Sequence, residues 1–277
     1  MALRSSSIVY KIMKSEDYAQ GDAFQAERRT VFSTEWLPLC AEAQVDSSGA
    51  FLATTAAGWN VLAVRDKANE VRVLRNACRH QNMPVVNAGT GSCESFRCRF
   101  HGWTYDLAGK FLTAPPPVAP ADPNSGLDLQ PLAITREAGL LFFSIDAPAA
   151  TPCLGTLPAY GGTLSTDIAC NWKVVVEHLL GERREGSPDF SWHWPLLAVR
   201  RAGSLAIVEQ IMPQTFLRTR LLTHVYGGPA EAHKPAAGTI KHVCERLQGD
   251  RAGGLMPEGE GALLADFHSV LMTKLGG

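Results

Sequence analysis

The chain has 277 residues, 26 Lys and Arg against 27 Asp and Glu, a formal net charge of −1, and 45% apolar against 19% charged residues. That balance fits one or two folded domains with a sizeable core and excludes a long disordered chain. It also removes the electrostatic case for a nucleic-acid partner, which needs clustered Lys and Arg.

Arg28-Arg29, Arg183-Arg184 and Arg200-Arg201 read as solvated surface pairs. No apolar run approaches the roughly 20 residues of a membrane span, and Met1 to Ser7 lacks the apolar stretch of a signal peptide, so the expectation is a cytoplasmic protein away from the membrane. Seven cysteines, an odd number in a chain without a secretion signal, do not suggest a disulfide framework.

Taken in chain order, residues 15 to 37 read as a helix, with Ser15 as its cap and Phe24, Val31, Phe32 and Trp36 at helical spacing. Short strand signals follow. Residues 60–64 and 71–75 flank the polar turn Asp66-Lys67-Ala68-Asn69 as a hairpin, and 140–145 is another apolar strand. The proline-rich stretch 113–120 can be neither helix nor central strand. A second Pro-containing stretch, 147–158, suggests a boundary. Beyond it, 172–180 reads as helix, 206–212 and 216–226 as strands, and 240–248 and 261–275 as closing helices. The expected organisation is an N-terminal helical segment (1–44) packing on the second domain, an all-β domain (45–147) and a second domain (148–277), α+β overall.

The strongest chemical signal is Cys78-Arg79-His80, then seventeen residues, then Cys98-Arg99-Phe100-His101-Gly102-Trp103. Two thiolates and two imidazoles admit tetrahedral zinc or a [2Fe–2S] cluster with two His on one iron. Each loop supplies one Cys and one His, as a cluster with one Cys-ligated and one His-ligated iron requires.

This pattern resembles the Rieske domain of Rieske non-haem iron oxygenases, and Asn76-Ala77 and Trp103-Thr104-Tyr105-Asp106 extend the likeness. The resemblance implies that Cys78 and Cys98 bind one iron and His80 and His101 the other, with His101 as the electron-transfer contact. Gln81-Asn82 departs from the Arg-Gly usual there. Met83 and Phe100 stand where the respiratory type carries its disulfide, which disfavours that subtype.

The likeness continues in Asn171-Trp172-Lys173 and Glu177, which look like the opening of the family's catalytic helix, on an expected shortened helix-grip (START-like) α+β domain. In the active enzymes that helix leads through a bridging carboxylate to His-x₄-His, and a later carboxylate completes a facial triad on iron. In one register the histidine positions fall here on Arg184 and Asp189, with Gly181 as the bridge. In the other they fall on Glu185 and Phe190, with Glu182 as a possible bridging remnant. Ile240 stands where the late aspartate belongs. His178, His193, His224, His233, His242 and His268 read as surface or satisfied core residues, although His178 lies close to Glu182.

The resemblance therefore implies an electron-transfer subunit of a hetero-oligomeric oxygenase. It would take electrons from an NAD(P)H-dependent reductase or ferredoxin and pass them to mononuclear Fe(II) in a catalytic partner subunit, in a mixed ring of three pairs. The reaction expected is O₂-dependent hydroxylation or demethylation of an aromatic compound. Alternatives are a stand-alone Rieske-type ferredoxin and a complete oxygenase with a rearranged iron site.

Overall fold

The computed structural model describes residues 13–120, 122, 126–148, 150–181, 189–256 and 262–276. The single helix expected over 15–37 is interrupted. α1 (Ser15–Ala19) stops at Gln20, whose extended backbone breaks the run, and α2 (Gly21–Glu27) continues into a π-helical turn at Arg28–Phe32. The N-cap is Lys14 rather than Ser15, and its backbone N–H donates to Asp17 Oδ2 at 2.7 Å. With the break, Tyr18, Phe24, Glu27, Val31 and Phe32 are all buried, although they do not share one stripe of a straight helix.

Ten strands follow: β1 (Leu37–Ala41), β2 (Ala50–Ala56), β3 (Trp59–Arg65), β4 (Val71–Arg75), β5 (Gly89–Ser92), β6 (Phe96–Arg97), β7 (Thr104–Tyr105), β8 (Phe111–Thr113), β9 (Ala133–Glu137) and β10 (Leu140–Ser144). They form three antiparallel sheets, ordered β1-β10-β9, β4-β3-β2-β5 and β6-β7-β8. The β2–β3 turn places Ala57 and Gly58 at φ +49° and +77°, the left-handed pair that a two-residue hairpin requires.

The expected β3–β4 hairpin is present. Asp66 Oδ1 accepts the N–H groups of Ala68 and Glu70 at 2.9 Å each, and Oδ2 accepts from Arg72 Nε at 2.6 Å. Burial pushes the Asp66 carboxyl up, but Arg72 and those backbone donors outweigh it and hold it below its ordinary value. The proline-rich stretch is the expected loop, with a short 3₁₀ turn at Pro116–Val118.

The second domain is one five-stranded antiparallel sheet with helices on one face. Its elements are β11 (Tyr160–Ile168), α3 (Trp172–Gly181), β12 (Phe190–His193), β13 (Leu197–Ala202), β14 (Leu205–Thr215), β15 (Arg218–Tyr226), α4 (Lys234–Ala252) and α5 (Ala262–Gly276). The sheet order is β11-β15-β14-β13-β12. β15 starts at 218 rather than 216, because Phe216 and Leu217 make the hairpin turn from β14. α4 starts at 234 rather than 240, with Pro235 in its first turn, where proline's missing N–H costs nothing.

Both faces of this sheet are covered, so residues 206–213 of β14 are all buried instead of alternating. One face packs Leu197, Val199, Ala206 and Val208 against Leu140 and Phe142 of β10. Gln210 Nε2 donates to the carbonyls of Pro38 and Leu39 in β1 at 2.9 and 3.1 Å. The other face meets the helices through Ala198, Ile211, Leu221 and Phe267.

Candidate metal centre

The two motif-bearing loops, between β4 and β5 and between β6 and β7, share one backbone pattern. In the first, Cys78 N–H donates to Met83 O at 2.8 Å and Asn82 N–H returns to Cys78 O at 2.7 Å. In the second, Cys98 N–H donates to Trp103 O and Gly102 N–H returns to Cys98 O, both at 2.8 Å. Each loop turns on a left-handed residue four after its cysteine, Asn82 at φ +58° and Gly102 at +74°. Asparagine is among the few side-chain-bearing residues that adopt this conformation readily. This is why the departure at Gln81-Asn82 leaves the turn intact.

The loops bring all four candidate ligands together. Cys78 and Cys98 are buried at 1% exposure, while His80 and His101 are half-buried, their ring centroids 4.6 Å apart and nearly perpendicular. The His80 ring stacks on Trp103 at 5.3 Å, and Trp103 is held by donation from Nε1 to Val118 O in the proline-rich loop. Tyr105 OH lies 3.3 Å from Cys78 Sγ and accepts the Arg79 N–H at 3.0 Å. Asn76 braces the first loop, its Oδ1 accepting from Val85 and Val86 N–H and its Nδ2 donating to Val86 O. Tyr105, Trp103 and Asn76 lie beside the motif in sequence, but only the fold reveals their tasks.

Two observations test the fit of a [2Fe–2S] cluster. His80 Nδ1 is buried with no hydrogen-bond partner among the described residues, which is costly for a ring nitrogen without a ligand to bind. Among the described residues, no three His, Cys, Asp or Glu side chains converge on a single metal ion. A tetrahedral zinc ion would need all four donors to converge, whereas a two-iron cluster divides them into two pairs. The donor set thus fits a cluster, and Cys78, His80, Cys98 and His101 could hold it. Burial pushes the Cys78 thiol up, against the Tyr105 hydroxyl and the His80 N–H, which favour the thiolate.

The second domain's interior carries a different polar arrangement. Glu177 on α3 accepts from Tyr18 OH, from His268 Nε2 at 3.0 Å and from Arg251 Nε at 3.1 Å. Glu27 pairs with Lys173 Nζ and accepts from Trp172 Nε1 at 2.7 Å, with Lys173 and Glu27 at 0% and 1% side-chain exposure. The sequence shows no signal for either set, since the partners come from segments far apart.

Of the expected iron-site positions, Phe190 packs against the core and Ile240 is buried on α4, while Asp189 precedes β12. Glu182, Arg184 and Glu185 lie outside the described residues. His178 is buried on α3. His224, His233 and His242 fall on β15, on a 3₁₀ turn (Ala230–His233) and on α4. His193 Nε2 lies 2.9 Å from Ser191 Oγ. His268 is a partner of buried Glu177, the satisfied of the two roles expected for it.

Residues 35–132 match the family model of the Rieske [2Fe–2S] domain. The α subunit of biphenyl dioxygenase from Metapseudomonas furukawaii is 30% identical over 191 residues, covering 60% of this chain and 42% of that protein. The chain thus spans less than half the length of this relative. Among solved structures, the quaternary ammonium Rieske monooxygenase CntA superposes with a TM-score of 0.74 at 16% identity, covering 95% of this chain and 94% of that one. Naphthalene 1,2-dioxygenase from Rhodococcus sp. superposes with a TM-score of 0.61 at 15% identity, with the same coverage. Among the described residues no helix is long and apolar enough to cross a membrane. The chain carries a Rieske [2Fe–2S] domain followed by an α+β domain, is homologous to the α subunits of ring-hydroxylating oxygenases, and is Rieske non-haem iron oxygenase-like.

Proposed function

We propose that this chain is the electron-transfer subunit of a hetero-oligomeric Rieske oxygenase. It receives electrons from a cytoplasmic NAD(P)H-dependent reductase or ferredoxin. It delivers them to a mononuclear iron in a catalytic partner subunit, for O₂-dependent hydroxylation or demethylation of an aromatic compound. Cys78 and Cys98 would hold one iron of the cluster, and His80 and His101 the other. When bound, the cluster supplies one-electron transfer at a potential of about −150 to +300 mV, because two neutral imidazoles replace two thiolates.

The chain's own residues do the rest. Tyr105 OH stabilises negative charge on Cys78 Sγ, and the stacked Trp103 holds the His80 ring. Phe100 and Met83, exposed at 44% and 36%, flank the imidazoles and can shed water on docking. Beside His101 a broad cleft of about 630 Å³ opens between the second loop and Pro115, Pro117 and Val118, room for a partner's side chains to reach the ring.

The observation that carries this reading is the contrast between the two ends of the electron path. The four candidate cluster ligands come together, while Ile240, and in one of the two registers Phe190, stand at positions matching family iron ligands and pack in apolar core. The test is iron and acid-labile sulfide per chain in anaerobically purified protein, with an EPR spectrum after reduction. About two irons and two sulfides with a Rieske-type signal are expected. A further iron that survives mild chelation, or substrate turnover by this chain with a reductase alone, would overturn the proposal.

A further inference from the structure

Between the Rieske side and the second domain's sheet lies a cleft of about 190 Å³. Strand register fixes its floor. Ser165 pairs with Leu222 and Leu222 with Gln210, while Asp167 pairs with Arg220 and Arg220 with Met212. These two rows share one face across β11, β15 and β14, and Gln210 shows which face, because it donates to the β1 carbonyls. Leu39 of β1, Leu52 and Thr54 of β2, and Gln44 of a short 3₁₀ turn (Glu42–Val45) form the opposite wall. Gly89 and Thr90 of β5, an exposed strand without a large side chain, line the rim.

The lining divides by chemistry. Leu39, Leu52, Met212 and Leu222, each at most 9% exposed, supply an apolar surface. The polar groups beside them are donors short of acceptors. Thr54 is buried and donates to Met212 Sδ at 3.5 Å, and a thioether is a weak acceptor. Gln44 Oε1 accepts from Ala41 N–H at 3.1 Å, which leaves the Gln44 NH₂ without a partner among the described residues. Arg220 grips Asp167 through Nε at 2.7 Å and Nη2 at 3.2 Å, so Nη1 is left over. Charge points the same way, since Arg218, Arg220 and Lys241 stand against only Asp167 and Glu245. Arg220 above all, then Arg218 and Lys241, holds the Asp167 carboxyl below its ordinary value in spite of its burial.

We propose that this cleft binds a small aliphatic monocarboxylate, its carboxylate taken by the unfilled donors and its tail laid on the leucines and Met212. An ionised carboxylate only accepts hydrogen bonds, so it suits a lining of free donors, and the surplus positive charge offsets its desolvation. An alcohol of the same length would leave most of those donors unfilled, and an ammonium would be repelled by Arg218 and Arg220. A cavity of about 150 Å³ holds benzene, so a chain of about six carbons fits here. The ligand would touch both domains at once, on the Rieske-facing side of the sheet. The site needs neither the cluster nor a partner subunit, so it stands apart from the electron-transfer reading.

Hexanoate is the probe, with hexan-1-ol as the uncharged and acetate as the tailless comparison. The full chain, ¹³C-labelled at its methionine methyl groups, is titrated and followed by NMR. The expected result is a saturable one-to-one shift of the Met212 methyl resonance by hexanoate. Both comparisons should bind at least roughly tenfold more weakly, one lacking the charge-assisted hydrogen bonds and the other the buried methylenes. Arg220→Met should weaken hexanoate by about tenfold and leave hexan-1-ol as it was. Ser165→Phe, at an exposed position on β11, should fill the cleft and abolish the shift at an unchanged Rieske EPR signal. No saturable shift up to the solubility limit, equal binding of hexan-1-ol or acetate, or full affinity in either variant would overturn the proposal. If neither variant folds, the three-probe comparison on the unaltered chain decides alone.

Discussion

The cluster loops and the interior of the second domain both bury polar side chains, but they assemble them in opposite ways. All four candidate ligands lie between residues 78 and 101, and each loop is shaped by its own backbone, through the paired Cys N–H donations and the left-handed Asn82 and Gly102. The interior draws Tyr18 and Glu27 from the N-terminal helices, Lys173 and Glu177 from α3, Arg251 from α4 and His268 from α5. The first is local turn chemistry with a preset geometry. The second exists only when distant segments have met, and it holds the helices to one another.

Damage to the first region should therefore remove chemistry, and damage to the second should remove stability. The largest effect is expected from Cys98→Ser, which should take cluster iron and sulfide close to zero while far-UV circular dichroism stays unchanged; retained iron would erase the distinction. Next, Lys173→Met leaves the Glu27 carboxylate buried without its counter-ion, at a cost of about 3–5 kcal/mol. Chemical denaturation should show it, and Lys173→Met with Glu27→Leu should recover most of the loss while the EPR signal persists throughout.

A pH titration sharpens the comparison further. Burial pushes the His224 imidazole down to about 3, and the neutral ring is bracketed by Thr163 Oγ1 at 2.7 Å and Gln210 Oε1 at 2.9 Å. Below its ordinary value of 6.5 the unfolded chain takes up a proton that the folded chain refuses. Stability should thus fall as pH drops from about 6.5 toward 3, by at most about 1.4 kcal/mol per unit from this group. His224→Gln should flatten that stretch of the profile. Tyr105→Phe should cost about 1 kcal/mol and lower the cluster potential in voltammetry, because the Cys78 sulfur loses a donor. The smallest change is expected from Asn82→Gly, within a few tenths of a kcal/mol by melting, since glycine takes the same left-handed turn freely.

The same contrast explains what could be read in the sequence. Cys78, His80, Cys98 and His101 were legible because spacing alone brings ligand types to two adjacent loops, and the Asp66 hairpin because an Asp side chain caps its own turn. The break at Gln20 was not legible: Tyr18 and Glu27 face the core to reach Glu177 and Lys173, contacts that no local periodicity announces. β11, β12 and β13 are hidden in the sequence for related reasons. β11 is rich in Gly, Ser and Thr, β12 mixes aromatic with polar residues, and β13 turns from Leu-Ala-Val to Arg-Arg-Ala, so none carries a sustained apolar or alternating signature. His268 showed no sign of its role, because its partner lies 91 positions away.

The five-stranded sheet has a consequence for how the molecule melts. It serves as a wall of two cores at once, with Leu140 and Phe142 of the Rieske side pressed on one face and Phe267 of α5 on the other. Neither half can detach without wetting apolar surface that the other half keeps dry. Calorimetry of the chain should then record one endotherm rather than two, with calorimetric and van't Hoff enthalpies in agreement. Two segments so different in texture along the chain would share a single thermal fate.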